Sequence, residues 1–284
     1  MKVKCSRGQL HEAFAIAATV VPQRTTIPAI MNVKVTATKK PATLELACTD
    51  LEFGLRYTIP NVEVKEEGTV VLPASRMSGI LRESGDDEVT IDSDGHLAHV
   101  KTSDANFKVV GLDPADFPTI PNFDERGAVQ VDTKDLSNMI RRTQFAVSTE
   151  VVRYVFTGQL FEVKGKDLRM VASDGKRLAY ARSRSTGKAE TKDIRVIVPT
   201  KTMGLLDKVL GEEDETVALN IEDTQVRLKT SRAVIFSRLI EGTFPDYEAV
   251  VPKDADKKIT IDRVKLQAAV RKAALMTTDK TRVV

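Results

Sequence analysis

Few side chains in this 284-residue chain are of types and spacings that do chemistry. Asp50 and Asp174 occupy the same place in two related phrases, LACTDLEFGLRY (46–57) and MVASDGKRLAYA (170–181). Paired carboxylates can shuttle protons or hold a metal. Here each precedes a Leu or a Gly in a turn-like context, once per phrase, which is the place of a structural turn or cap. His96 and His99 are three apart in an alternating stretch, so they point to opposite faces and do not share a metal. Cys5 and Cys48 lie in apolar surroundings of predicted strands and read as buried free thiols of a reducing compartment. There is no glycine-rich phosphate loop, no GxGxxG, no HExxH and no GxSxG. No catalytic residue, no metal and no cofactor is therefore expected.

The remaining chemistry is that of cations on helices. Leu10, Phe14 and Ala17 recur at helical spacing, as do Met77, Ile80 and Leu81, and then Leu136, Met139 and Ile140. Met203, Leu206 and Leu210 give a fourth helix, and Leu266, Ala269, Val270 and Ala273 a fifth. Thr133, Thr200 and Asp262 are the expected N-caps of the last three. On the opposite faces stand Arg7 and His11, Arg76 and Arg82, Lys134, Arg141 and Arg142, Lys201 and Lys208, and Arg263, Arg271 and Lys272. Helices sharing one surface would sum these into a positive lining along which a phosphate backbone slides. Glu12, Glu83 and Asp135 share the same helices, as they would on ordinary solvated faces.

The elements that must position these helices are strands. Alternating stretches such as LELACTDLEFGLRYTI, VTIDSDGHLAHV, LRMVASDGKRLAYA, VALNIEDTQVRLKT and AVIFSRLI outnumber the helices, so the fold class is α+β with antiparallel sheets. The chain also repeats itself. VVLPASRMSGIL (70–81) returns as VIVPTKTMGLLDKVL (196–210), and Phe117-Pro118 of GLDPADFPTIP returns as Phe244-Pro245 of LIEGTFPDYEAVVP. A strand-then-helix pattern occurs three times: VKCSRGQLHEAFAIA, VQVDTKDLSNMIRRT and ITIDRVKLQAAVRKAA. With Pro-rich boundaries at PTIPNFDERG and PDYEAVVPKDADKK, the expected units are 1–124, 125–252 and the opening of a third, 253–284. The last is too short to fold alone, and is expected to be poorly ordered or to borrow packing from another chain.

Composition narrows the partners. Residues 1–124 carry 13 basic and 17 acidic groups, 125–252 carry 21 and 19, and 253–284 carry 9 and 4, for a net charge of +3. Any contact with nucleic acid must therefore gather cations on one surface. Trp is absent and aromatics are 5% of residues, which argues against a base-stacking surface. No apolar run approaches the roughly 20 residues needed to span a bilayer, and MKVKCSRGQL lacks a signal-peptide core. The expectation is a cytoplasmic chain that starts at Met1, with no membrane partner.

The Phe-Pro endings, the phrase Val171–Gly175, the segment EGTFPDYEAVVP and above all RYVFTGQLFEVKGKDLRMVASDGKRLAYARS (153–183) resemble the bacterial DNA polymerase III β subunits, the sliding clamps. The resemblance runs from Met1 to Val284 and implies a DNA-clamp fold, with two helices and outer sheets in each domain. It further implies three domains per chain and a homodimeric ring around duplex DNA, read without regard to sequence. The ring tethers the replicative polymerase. Carried over by this resemblance, Arg24, Arg76, Tyr154 and Lys201 face DNA. Phe156, Ser173, Gly175, Lys176, Arg177, Leu178, Pro245 and Val250 form a cleft for short, mostly apolar peptides of the polymerase, the clamp loader and repair proteins. Leu178, Pro245 and Val250 would make the apolar slot, and Arg177 would orient polar groups of the peptide. Lys176 departs from the family pattern, where His is frequent. Measured against that pattern the third domain stops early, and its missing part would supply one wall of the cleft and one face of the dimer. The alternative reading is a fragment that binds peptides without holding DNA. A nuclease or nucleotidyltransferase would need convergent carboxylates and a metal, for which no spacing is visible. Polymerase or exonuclease activity would belong to the holoenzyme.

Overall fold

The structure is a computed structural model that describes residues 1–184, 193–211, 215–252 and 256–277. Its first half runs β1 (Lys2–Ser6), α1 (Arg7–Ala17), β2 (Asn32–Lys39), β3 (Ala42–Thr49), β4 (Phe53–Pro60), β5 (Glu63–Glu66), β6 (Gly68–Pro73), α2 (Ala74–Glu83), β7 (Glu88–Asp94), β8 (Leu97–Lys101) and β9 (Asn106–Val110). The second half repeats the plan: β10 (Val129–Asp132), α3 (Thr133–Thr143), β11 (Gly158–Lys164), β12 (Asp167–Ser173), β13 (Leu178–Arg184), β14 (Ile194–Pro199), α4 (Thr200–Val209), β15 (Thr216–Ile221), β16 (Gln225–Lys229) and β17 (Ala233–Arg238). Helix α5 (Arg263–Ala274) follows.

All strand pairs are antiparallel. They form sheets ordered β5-β1-β7-β8-β9, β10-β15-β16-β17-β4-β3-β2-β6 and β13-β12-β11-β14. The eight-stranded sheet is the joint between the repeats, because β17 of the second half pairs with β4 of the first, Ile235 opposite Leu55 and Phe236 opposite Gly54. Gly54 is required there, since a Cβ on it would lie 2.2 Å from the Phe236 ring. Both Ile235 and Leu55 are fully buried, so the seam is core rather than a surface contact. The compact units accordingly divide at Met1–Phe244 and Pro245–Val284, with residues 1–124 and 125–244 in one body.

Helices form where apolar stripes meet these sheets. α1 packs on β3 and β4, and α3 on β12 and β13. α1 lies beside α2, α3 beside α4, and α1 also against α4, making one layer of four helices. Capping departs from the expected residues. Asp132, not Thr133, caps α3 by accepting from the Asp135 amide at 3.0 Å, and α4 begins at Thr200 after Pro199, with no side-chain cap. Thr133 is the first helical residue and its hydroxyl is buried without a hydrogen bond. Ser6 and Asp262 hold the matching positions at α1 and α5, accepting from Gln9 N and Lys265 N.

In the second unit, Asp262 caps α5 as expected, but Ile259–Asp262 form no strand among the described residues. β1 and β10 are strands because β5, β7 and β15 pair with them, and Ile259–Asp262 have no described counterpart to pair with. α5 buries none of its side chains, and Leu266 and Val270 remain exposed. The expectation for 278–284 lies outside the described residues. No described helix is long and apolar enough to cross a membrane.

Candidate functional site

The two carboxylates that opened the sequence reading are turn residues of matched geometry. Asp50 Oδ1 accepts from the amides of Glu52 at 3.0 Å and Phe53 at 2.8 Å. Asp174 Oδ1 accepts from Lys176 at 2.9 Å and Arg177 at 3.0 Å. The preceding hydroxyls also match: Thr49 Oγ1 donates to Phe53 O and accepts from Leu51 N, as Ser173 Oγ does with Arg177 O and Gly175 N. Each loop turns back through a left-handed residue, Leu51 at φ 77° and Gly175 at φ 84°. These bonds favour the ionised Asp174; the amides of Lys176 and Arg177, and then the Arg177 guanidinium, hold its carboxyl below the usual carboxylate range. Asp50 and Asp174 stand in separate turns, and no group of three or more His, Cys, Asp or Glu among the described residues is placed to hold a metal.

The 173–177 loop presents the residues assigned to the cleft. Gly175, Lys176 and Arg177 are exposed, Ser173 is buried beneath them, and Leu178 is half-buried at the start of β13. Arg177 Nε donates to Asp174 Oδ2 at 3.0 Å, and its guanidinium lies 5.7 Å from the exposed Phe145 ring. Phe156 packs edge-on against Phe244 at 5.4 Å. Two residues not named as site residues from the sequence touch this loop. Arg153, three positions before Phe156 in the 3-10 turns of Val151–Thr157, donates to Asp174 O at 2.7 Å and so ties that segment to the loop. Phe145 follows α3 and is 60% exposed, a ring that no periodic pattern had placed. Pro245 and Val250 belong to the second unit, where both are exposed and Val250 N donates to Tyr247 O.

The positions assigned to DNA are all exposed. Arg24 lies in the loop after α1, Arg76 in the first turn of α2, and Tyr154 in the 3-10 turns. Neither Arg24 nor Arg76 enters an ion pair among the described residues. Lys201, in the first turn of α4, is different: its Nζ is 2.8 Å from Asp50 Oδ2 and 3.9 Å from the Phe53 ring centroid. It holds the first repeat's loop to the second repeat's helix. Some other helix cations are also committed. Arg7 is half-buried and donates to Asp86 O and Leu81 O, so it is a joint between α1 and the end of α2 rather than a displayed charge. Arg141 pairs with Asp207 at 3.2 Å, and Arg82 with Glu83 at 2.9 Å. Lys134, Arg142 and Lys208 are exposed on the same helix layer.

Comparison with known proteins places this geometry. Residues 1–121 match the N-terminal domain of the DNA polymerase III beta subunit, and residues 130–246 match its central domain. The beta sliding clamp of Bacillus subtilis (strain 168) is 29% identical over 284 residues, covering 97% of this chain and 74% of that protein. The beta sliding clamp of Vibrio cholerae is 30% identical, covering 99% of this chain and 76% of that protein. Among solved structures, a Pseudomonas aeruginosa sliding clamp bound to griselimycin superposes with a TM-score of 0.90 at 31% identity, over 99% of this chain and 76% of that one. The chain thus spans about three quarters of the length of these relatives, and it belongs to the beta sliding clamp family, the beta subunits of DNA polymerase III.

Proposed function

We propose that this chain is a DNA sliding clamp, a processivity factor that surrounds duplex DNA and tethers the replicative polymerase, working by binding and not by catalysis. The observation that carries the reading is the repeat itself: two copies of one fold fused through a shared sheet, with four helices in a single layer. In this reading residues 1–124 and 125–252 are two clamp domains and 253–284 is the opening of a third. The helix layer faces DNA. Arg24, Arg76 and Tyr154 meet phosphates, and Lys201 contributes less because Asp50 shares its charge. Phe156, Ser173, Gly175, Lys176, Arg177 and Leu178 receive short peptides of the polymerase and clamp loader; Phe145 and Arg153 extend that set. A relative with griselimycin bound supports a ligand site on this family's surface.

The test is the dwell time of the labelled chain on circular and linear duplexes of one sequence, in the presence of a clamp loader. Topological tethering predicts long retention on the circle and rapid loss from the free ends of the linear form. Equal dwell times would sink the reading.

A further inference from the structure

On the face of the eight-stranded sheet opposite the helices, the seam between the repeats opens into a cavity of about 360 Å³, large enough for a small molecule. Leu55 and Tyr57 of β4 and Ile235 of β17 point into the core, so Arg56 and Val234 point away from it. The register places the cations. Ala47 pairs with Arg56, Arg56 with Val234 and Val234 with Lys229, so Arg56 and Lys229 share one cross-strand row, two strands apart. That is about 10 Å between backbones, a gap that two long side chains can close on one small ion. In the next row lie Glu45 and Thr58, followed by Arg232, whose carbonyl accepts from Thr58 N at 2.8 Å. The segment that joins the repeats forms the remaining wall. Asn122 Oδ1 accepts from Arg56 Nη1 at 2.6 Å, and the Phe123 ring centroid lies 5.7 Å from Lys229 Nζ.

We propose that this cavity binds a phosphate group, free or carried on a nucleotide, held by Arg56, Lys229 and Arg232 across the joint between the repeats. Three cations line it against one carboxylate, Glu45. Arg56 is half-buried, yet its guanidinium donates only to the neutral oxygens of Asn122 and Ile120, and its Nε is buried without a hydrogen bond. A half-buried charge with neutral partners gains from an anion beside it. Lys229 is paired with Glu125 at 2.5 Å, but the Glu125 side chain is 76% exposed, so solvent takes that carboxylate at little cost when an anion arrives. Guanidinium groups match phosphate oxygens in pairs, and the Thr58 hydroxyl lines the same cavity. The fold itself does not require the charge: counted from the matched turns at Asp50 and Asp174, Tyr180 holds the place of Arg56 in the second repeat, across from Val171 as Arg56 is from Ala47. Because the cavity is walled by both repeats, an occupant stabilises their joint. The DNA reading uses none of these residues, so either can fail without the other.

Isothermal titration calorimetry on the whole chain tests it, with inorganic phosphate, pyrophosphate and AMP as probes and ionic strength held constant with chloride. The wild type is expected to bind one equivalent saturably, and its melting temperature to rise with the probe. Lys229→Met and Arg232→Gln should each weaken binding about tenfold, the loss of one charge-assisted contact. Glu45→Gln removes a like charge and should tighten binding about threefold. A short DNA duplex in excess should not displace the probe, which separates this cavity from the helix layer. Tighter binding of AMP than of inorganic phosphate assigns the occupant as a nucleotide with its base on Phe123; equal or weaker binding assigns a free phosphate. Circular dichroism establishes that the variants are folded, and Lys229→Met, which keeps its apolar stem, serves if Arg232→Gln is not. The absence of saturable heat with all three probes at millimolar concentration, binding unmoved by both cation variants, or displacement by the duplex would each overturn the proposal.

Discussion

Asp174 shows how little of a carboxylate's role its type reveals. It accepts two amides and a guanidinium, and so shapes the loop that displays Lys176 and Arg177. Its folded pKa is lowered, so the stabilisation it provides is present above the ordinary carboxylate pKa of about 4 and is lost as pH falls through the lower folded value. Binding of a labelled polymerase-derived peptide, followed by fluorescence anisotropy, is expected to be insensitive to Asp174 between pH 5 and pH 8 (about one unit or more above that range) and to weaken only in stronger acid. Asp174→Ala should weaken peptide binding about tenfold, the loss typical of a disturbed binding residue, with little change in melting temperature. Unaltered affinity would remove the loop from the site. Cys5 is the residue-scale counterpart in the core, where burial pushes its thiol up to about 12 and keeps it from reacting.

At the scale of the element, α3 separates two neighbouring candidates for one job. Asp132 accepts the Asp135 amide, while the Thr133 hydroxyl is buried with no partner. Asp132→Ala should destabilise the fold by about 1 kcal/mol, the usual cost of losing a cap. Thr133→Val removes an unsatisfied hydroxyl at nearly constant shape and should be neutral or stabilising. Denaturant titration of the two variants distinguishes them, and a larger loss for Thr133→Val would show that the hydroxyl bonds something in solution. The same logic explains the third strand-then-helix pattern. A cap and an apolar stripe suffice for α5, because its hydrogen bonds are internal, whereas Ile259–Asp262 need a neighbouring strand.

For the whole molecule, the question is how a chain of net charge +3 holds a polyanion. Each phosphate contact made by a cation contributes about −0.9 to the slope of log affinity against log salt. Arg24→Ala and Arg76→Ala should each make the slope shallower by about that amount. Lys201→Ala should change it less, because Asp50 already neutralises that ammonium in the fold. Affinities for a short labelled duplex across a salt series provide the measurement; a full unit lost with Lys201 would mean that DNA displaces Asp50. The stability of the seam should barely respond to this substitution, since exposed pairs contribute about 0–1 kcal/mol.

By itself the sequence determined the repetition, the α+β class, five helices, the buried stripes of the first four, and the turn role of Asp50 and Asp174. These are local properties: burial along a helix or strand follows a fixed period, and a short acidic side chain reaches amides two and three residues on. Tertiary structure alone decided that β17 crosses to β4 and merges two expected units into one body, that Lys201 meets Asp50, and that Arg7 serves carbonyls at Leu81 and Asp86. It also brought Phe145 and Arg153 to the 173–177 loop. Those outcomes depend on which strand edges meet and in what register. That is a matter of pairing between residues far apart in the chain, on which the local period of either strand carries no information.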